Sequence, residues 1–187
     1  MTETSIVDIN GFKGIGNKLI VLETSRLNLR WASLKDVEFI LSLLNTPGFL
    51  ENIGDRGVRD LMQAETYLID GPILSYQQNG FGLYVVELKD TGEAIGLSGM
   101  VKRPMLDYPD LGYAFLPRFW GKGYAVESAK AVVEHCKSLG FTKLLGVVSP
   151  GNDASISVLE KVGMSFDSTM VWDEDNSEVL LYQREIK

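Results

Sequence analysis

A short apolar run, Leu111–Leu116, enters a turn spaced by two glycines and leaves it as a helical pattern beginning at Tyr124. The turn reads Arg118-Phe119-Trp120-Gly121-Lys122-Gly123-Tyr124-Ala125. A strand, a glycine turn and a helix in this order constrain the chain to an α/β fold with a phosphate-holding device at a strand end. The glycines let successive amide N–H groups point inward, and the helix dipole adds partial positive charge at the same place. Two common phosphate loops are excluded by the letters. A magnesium-nucleotide loop needs a hydroxyl after its Gly-Lys, and Lys122 is followed by Gly123 and Tyr124. A dinucleotide loop starting at Gly121 needs glycine at position 126, which is Val126. The cluster Gly11, Gly14, Gly16 has the wrong spacing and no strand before it.

Periodicity places the other elements. Leu27, Leu29 and Trp31 alternate as in a half-buried strand. Ser33 stands as an N-cap with Asp36 in the first turn of a helix whose face is Val37, Ile40, Leu41 and Leu44. Thr46-Pro47-Gly48 is expected to stop that helix, and a second is expected from Val58 to Ile69, ended by Gly71-Pro72. Phe81–Leu88 and Ala94–Val101 read as a hairpin. A loop, Arg103–Pro109, leads into the strand at Leu111. The helix after the glycine turn buries Ala125, Ala129, Val132, Val133 and Cys136. A strand Leu144–Val148, a helix from Ala154 to Val162 closed by Gly163, and a hairpin of Ser168–Trp172 with Glu178–Glu185 complete the chain. Residues 1–22 read as an irregular lead-in, and 23–187 as one domain.

The pattern Arg-x-x-Gly-x-Gly-x-Ala resembles the coenzyme A pyrophosphate loop of the GCN5-related N-acetyltransferases (GNAT). Thr24-Ser25-Arg26-Leu27-Asn28-Leu29-Arg30, Leu111-Gly112-Tyr113-Ala114-Phe115-Leu116-Pro117, and Asn152-x-x-Ser155 followed by Val158–Met164 resemble the branch that acetylates ribosomal-protein N-termini (RimJ/RimL-like). The likeness runs from about Glu23 to the C-terminus with its motifs in order. It implies a mixed, mostly antiparallel sheet flanked by helices, with splayed central strands that hold the acyl-CoA. The activity implied is acetyl transfer from acetyl-CoA, as cosubstrate, to a primary amine. The amine would attack directly, without a covalent enzyme intermediate.

Carried onto this chain, the resemblance gives Phe115 and Leu116 backbone hydrogen bonds to the pantetheine arm, with an N–H near Phe115 polarising the thioester oxygen. Gly121, Lys122, Gly123, Tyr124 and Ala125 would supply amides to the pyrophosphate, and Arg118 and Lys122 positive charge. Pro117 and Trp120 are expected to rigidify and pack. Asn152 is either a helix N-cap or a group that reaches the pantetheine amide or the acceptor. Ser155 is either a polar first-turn serine or the general acid for the leaving thiolate, whose pKa should resemble the ~8.5 of a free thiol. No tyrosine occupies the corresponding stretch as an alternative acid. The base is open between water, Glu87 and Glu174; an α-amino acceptor with pKa ~7.7–8.0 needs little help and a lysine near ~10.4 needs more. His135, in mid-helix, is expected to be a packing or surface residue. Asn52-Ile53-Gly54-Asp55-Arg56, Arg103–Pro109 and the closing hairpin are the irregular parts expected to line the acceptor site.

Composition narrows the remaining classes. The 187 residues carry a net charge of −7, with no Lys/Arg run suited to nucleic acid. One histidine and one cysteine argue against a zinc site, and the lone Cys136 cannot form an internal disulfide. No stretch approaches about 18 apolar residues, and the first residues lack a charged segment followed by a long apolar one. The expectation is a cytoplasmic monomer or homodimer acting on a protein N-terminus or small-molecule amine, without metal, membrane or nucleic acid. A non-catalytic acyl-CoA sensor, or a phosphate binder unrelated to coenzyme A, would share the loop.

Overall fold

The computed structural model describes residues 19–172 and 176–187. Among the described residues eight strands form one sheet: β1 (Ile20–Glu23), β2 (Leu27–Arg30), β3 (Leu83–Leu88), β4 (Ala94–Val101), β5 (Asp110–Phe115), β6 (Lys143–Val148), β7 (Ser165–Val171) and β8 (Glu178–Glu185). Their order is β1-β2-β3-β4-β5-β6-β8-β7, and the sheet is antiparallel except between β5 and β6. That parallel pair shares a single register position, Asp110↔Leu145. Beyond it the two strands part, so the centre of the sheet opens beside the second half of β5.

The lead-in is shorter than the sequence suggests. Ile20–Glu23 is a strand paired with β2, because Leu22 and Glu23 find partners in Leu29 and Asn28. Residues 1–18 lie outside the described residues.

Ser33 caps as expected: its hydroxyl accepts from Lys35 N–H, and Asp36 accepts from the Ser33 N–H at 2.8 Å. This box starts a single 3-10 turn that runs into α1 (Val37–Leu44). Thr46-Pro47-Gly48 ends α1 but also begins α2 (Pro47–Asn52), with proline at the first helical position, where its missing N–H costs nothing. Gly71-Pro72 does not end the next helix. α3 (Leu61–Leu68), capped by Asp60, continues through a π turn, Ile69–Ile73, into α4 (Leu74–Asn79), which closes at Gly80 with φ 76°. The wider π turn absorbs a residue that cannot donate, so Pro72 is accommodated and buried. Tyr76 holds the extension in place. It is fully buried, its hydroxyl accepts from Ala32 N–H at 3.1 Å and donates to the Leu83 carbonyl, and its ring stacks between Trp31 and Tyr84.

α5 (Tyr124–Ser138) packs across β4 and β5 and buries Ser128, Ala129, Val132, Val133 and Cys136. Ala125 is only partly buried there, which leaves it at the rim of the helix start. α6 (Asp153–Lys161) lies beside α5 and ends at Gly163, φ 80°. None of the described helices is long and apolar enough to cross a membrane.

Candidate active site

The glycine turn presents backbone amides at the start of a long helix. After Phe115 the chain makes one 3-10 turn, Pro117–Phe119, then passes Trp120, Gly121 (φ 72°), Lys122 and Gly123 (φ 82°) into α5. A Cβ on Gly121 would meet nothing within 4 Å, and one on Gly123 would stand 3.4 Å from an Arg26 nitrogen. Space is therefore not what demands glycine; the left-handed backbone is. No side chain caps α5, and its first internal bond is Glu127 N–H to Gly123 C=O at 3.0 Å. The amides of Tyr124, Ala125 and Val126 precede that bond and face outward from the positive end of a 15-residue helix.

A carboxylate in the first turn would compete for these amides, and Glu127 is the one present. It is drawn aside. Thr24 Oγ1 (2.6 Å), Ser25 Oγ (3.0 Å), Arg26 N–H (2.9 Å) and Arg26 Nε (2.6 Å) all donate to it. Burial alone would raise its pKa, but these hydrogen bonds prevail and hold the carboxyl below the usual range. Arg26 also donates to the Lys122 carbonyl at 3.0 Å and lies over the Tyr124 ring. The β1–β2 turn thus clamps both sides of the glycine turn. Only the motif Thr24-Ser25-Arg26 hinted at this in the sequence.

Arg118 and Lys122 flank the turn, both over the Phe119 ring. Arg118 is ion-paired with Glu93 in the β3–β4 turn at 2.6 Å. That pair is exposed, and such pairs are worth little, so the guanidinium is free to turn toward an anion at small cost.

The opening between β5 and β6 is lined by backbone. In the β4–β5 ladder Leu116 N–H bonds Ile95 C=O at 3.0 Å, so alternation turns the backbone groups of Tyr113 and Phe115 away from β4, toward the gap. The expectation for Leu116 is corrected here. Its N–H belongs to Ile95 and its carbonyl accepts from Phe119 N–H at 2.9 Å. The Phe115 carbonyl accepts from Trp120 Nε1 at 2.7 Å, which leaves the Phe115 N–H and both backbone groups of Tyr113 facing the gap. Trp120 is half-exposed, with one edge of its ring against Gly48 of α2, where an added Cβ would lie 2.3 Å from Cη2. The loop containing Asn52–Arg56 is thereby tied to the glycine turn.

Across the gap, Asn152 is the N-cap of α6, its Oδ1 accepting from Ser155 N–H at 3.1 Å. Ser155 Oγ lies 2.6 Å from the Tyr113 hydroxyl, which also reaches the Ser155 carbonyl at 3.2 Å. Burial pushes the Tyr113 phenol up to about 12, with the Ser155 bond acting in the opposite direction. The stretch around Ser155 itself holds no tyrosine. Tyr113 comes from β5, 42 residues before Ser155, where the sequence marks it as one of the alternating residues Leu111, Tyr113 and Phe115 of that strand.

The candidate bases fare less well. Glu87 is buried and bound to Arg30 Nε at 2.8 Å, while Arg30 grips Asp36 with two further bonds of 2.9 and 2.6 Å. It serves the ion cluster, not the gap. Glu174 lies outside the described residues. His135 Nε2 is 3.0 Å from the Tyr84 hydroxyl, and burial lowers its pKa, as suits a packing residue. Among the described residues no group of three or more His, Cys, Asp or Glu gathers as metal ligands.

Comparison with known proteins agrees with this architecture. YkkB of Bacillus subtilis is 32% identical over 87% of this chain and 94% of its own. An acetyltransferase from Agrobacterium tumefaciens is 26% identical, with a TM-score of 0.75 over 94% of this chain and 99% of that one. The ribosomal alpha-N-protein acetyltransferase RimL, solved in complex with coenzyme A, shares the fold at 20% identity, TM-score 0.77, over 89% and 98% of the two chains. Residues 26–165 match the acetyltransferase (GNAT) domain. The chain belongs to the GNAT acetyltransferase family.

Proposed function

We propose that the protein transfers the acetyl group of acetyl-CoA to a primary amine, at a protein N-terminus or on a small molecule, by direct attack in a ternary complex. The observation that carries this reading is the alignment of two features along β5. An uncapped helix start with left-handed glycines stands at its end, and an opening with Tyr113 and Ser155 stands beside it. The residues fit coenzyme A. The amides of Tyr124 to Val126 and the Lys122 charge suit the pyrophosphate, and the Tyr113 and Phe115 backbone groups suit an amide-bearing arm. RimL, of the same fold, is a ribosomal alpha-N-protein acetyltransferase solved with coenzyme A.

The Phe115 N–H would polarise the thioester oxygen and stabilise charge developing on it. The Ser155 O–H hydrogen-bonds the departing sulfur and stabilises the charge that develops there. With Glu87 engaged by Arg30, the acceptor best served is an amine already partly neutral, and an α-amino group with pKa ~7.7–8.0 meets that condition better than lysine. Water then takes its proton. Asn152 positions the first turn of α6, and so Ser155, by capping it.

Thermal unfolding with and without acetyl-CoA, followed by thiol release over a panel of peptides and small amines, tests the reading. A raised midpoint and thiol release with some amines support it. Binding without release from any amine supports a sensor instead, and the absence of any shift at saturating acetyl-CoA removes the coenzyme A reading.

A further inference from the structure

The Tyr113–Ser155 contact spans two elements that share no hydrogen-bonded ladder. Opposite Tyr113 on β4 stands Ser98, small and fully buried, and on the other side β6 has already parted from β5. The ring leans across the opening to the first turn of α6. There the two hydroxyl oxygens lie 2.6 Å apart, a strong O–H···O distance. Either oxygen could donate, and chemistry chooses. A phenol is a far better hydrogen-bond donor than an alkyl alcohol, so the Tyr113 proton lies toward Ser155 Oγ, with the Ser155 carbonyl at 3.2 Å as a secondary acceptor.

That leaves the proton of Ser155 itself. A serine inside a helix can donate back to the carbonyl four residues earlier. Ser155 makes no such bond: among the described residues its hydroxyl bonds Tyr113. With the phenol as donor, the Ser155 hydroxyl accepts from Tyr113 and keeps its own proton for a partner in the gap.

We propose that Tyr113 is a positioning residue that fixes the direction of the Ser155 proton, aiming it at the sulfur of the departing coenzyme A. The inference rests on the acetyl-transfer reading above. In the step concerned, the nitrogen–carbon bond has formed and the carbon–sulfur bond breaks, its electron pair going to sulfur. The Ser155 O–H stabilises that charge. The proton lost by the amine goes to water, and the sulfur takes its own from water. Tyr113 keeps its proton throughout, consistent with a phenol raised by burial.

The test is Tyr113→Phe in the full chain, which removes one oxygen and keeps the ring. Coenzyme A affinity is expected to stay within about twofold of wild type, while kcat with acetyl-CoA falls roughly tenfold to a hundredfold, the size of an acid–base contribution or somewhat less. Small acetyl thioesters supply the decisive comparison. An alkyl thioester should show the loss, and an aryl thioester, whose thiolate leaves unaided, should show little. Equal losses on both, or an unimpaired variant, overturn the proposal. A readout independent of turnover is 19F NMR of fluorotyrosine-labelled protein, with the Tyr113 resonance assigned by its absence in Tyr113→Phe. It should move in Ser155→Ala, and a resonance that stays put overturns the contact. Wild-type protein that releases no thiol with any amine removes the acetyl-transfer reading, and this inference with it. Wild-type turnover beside an unimpaired Tyr113→Phe removes the inference alone.

Discussion

The carboxylate of Glu127 is bound by Arg26 and not by the amides of its own helix. One Arg26 nitrogen bonds a Glu127 oxygen at 2.6 Å while another holds the Lys122 carbonyl at 3.0 Å, so a single side chain keeps the acid away from the helix start and steadies the glycine turn. A free carboxylate at the first turn of α5 would occupy the helix's unpaired amides. Here it is used to dock the β1–β2 turn instead.

This arrangement sets a pH dependence. Glu127 has its folded-state pKa below its unfolded value, so the unfolded chain binds more protons as pH falls. Its contribution to stability is fully present above the unfolded pKa, about 4.3, and is lost as pH falls through the folded pKa. Urea unfolding of wild type and Glu127→Gln between pH 7 and pH 3 should therefore converge at the acid end. A constant difference across that range would contradict the assignment.

Gly123→Val should destabilise the protein by about 1–2 kcal/mol, the cost of a side chain in the left-handed region, and should abolish the thermal shift from acetyl-CoA. Gly123→Ala separates backbone from bulk. Its Cβ meets only an Arg26 nitrogen at 3.4 Å, so weakened coenzyme A binding by calorimetry would trace to the backbone alone.

Glu87→Gln distinguishes a buried ion pair from a catalytic base. Arg30 would keep Asp36 but lose its bond to a charged partner, for an expected loss of about 3 kcal/mol in denaturant unfolding. The kcat per folded molecule and its pH profile should be unchanged. A profile displaced along the pH axis would return Glu87 to the reaction.

Cys136 is fully buried, and burial pushes its thiol up to about 11. It should not react with a disulfide reagent in the native protein and should titrate as one thiol per chain in urea. Coenzyme A release can then be followed with the same reagent against a flat background. Rapid labelling of the native protein would contradict the packing of α5.

Several parts of the site were legible in the chain because they depend on neighbours only a few residues away. The two glycines of the turn announce a backbone with positive φ, and Gly121 and Gly123 adopt it. Ser33 and Asp36 announce a cap by their spacing, and Asn152 caps α6 just as an Asn before a helical pattern should. Gly71-Pro72 misled because a proline stops a helix only where every turn must donate, and the π turn removes that requirement.

What the sequence determined by itself is the strand, glycine turn and helix, the strand and helix periodicities, and with them the family. These follow from φ preferences and from patterns of two and of three to four residues, which the chain carries wherever it lies. The tertiary structure alone decided which polar atoms meet: Tyr113 with Ser155 across 42 positions, Arg30 with Glu87 across 57, Arg26 with Glu127 across 101. It also decided that Leu116 is spent on Ile95 and that the gap belongs to Tyr113 and Phe115. Register and the parting of β5 from β6 set those pairings, and neither is written in any local stretch of residues.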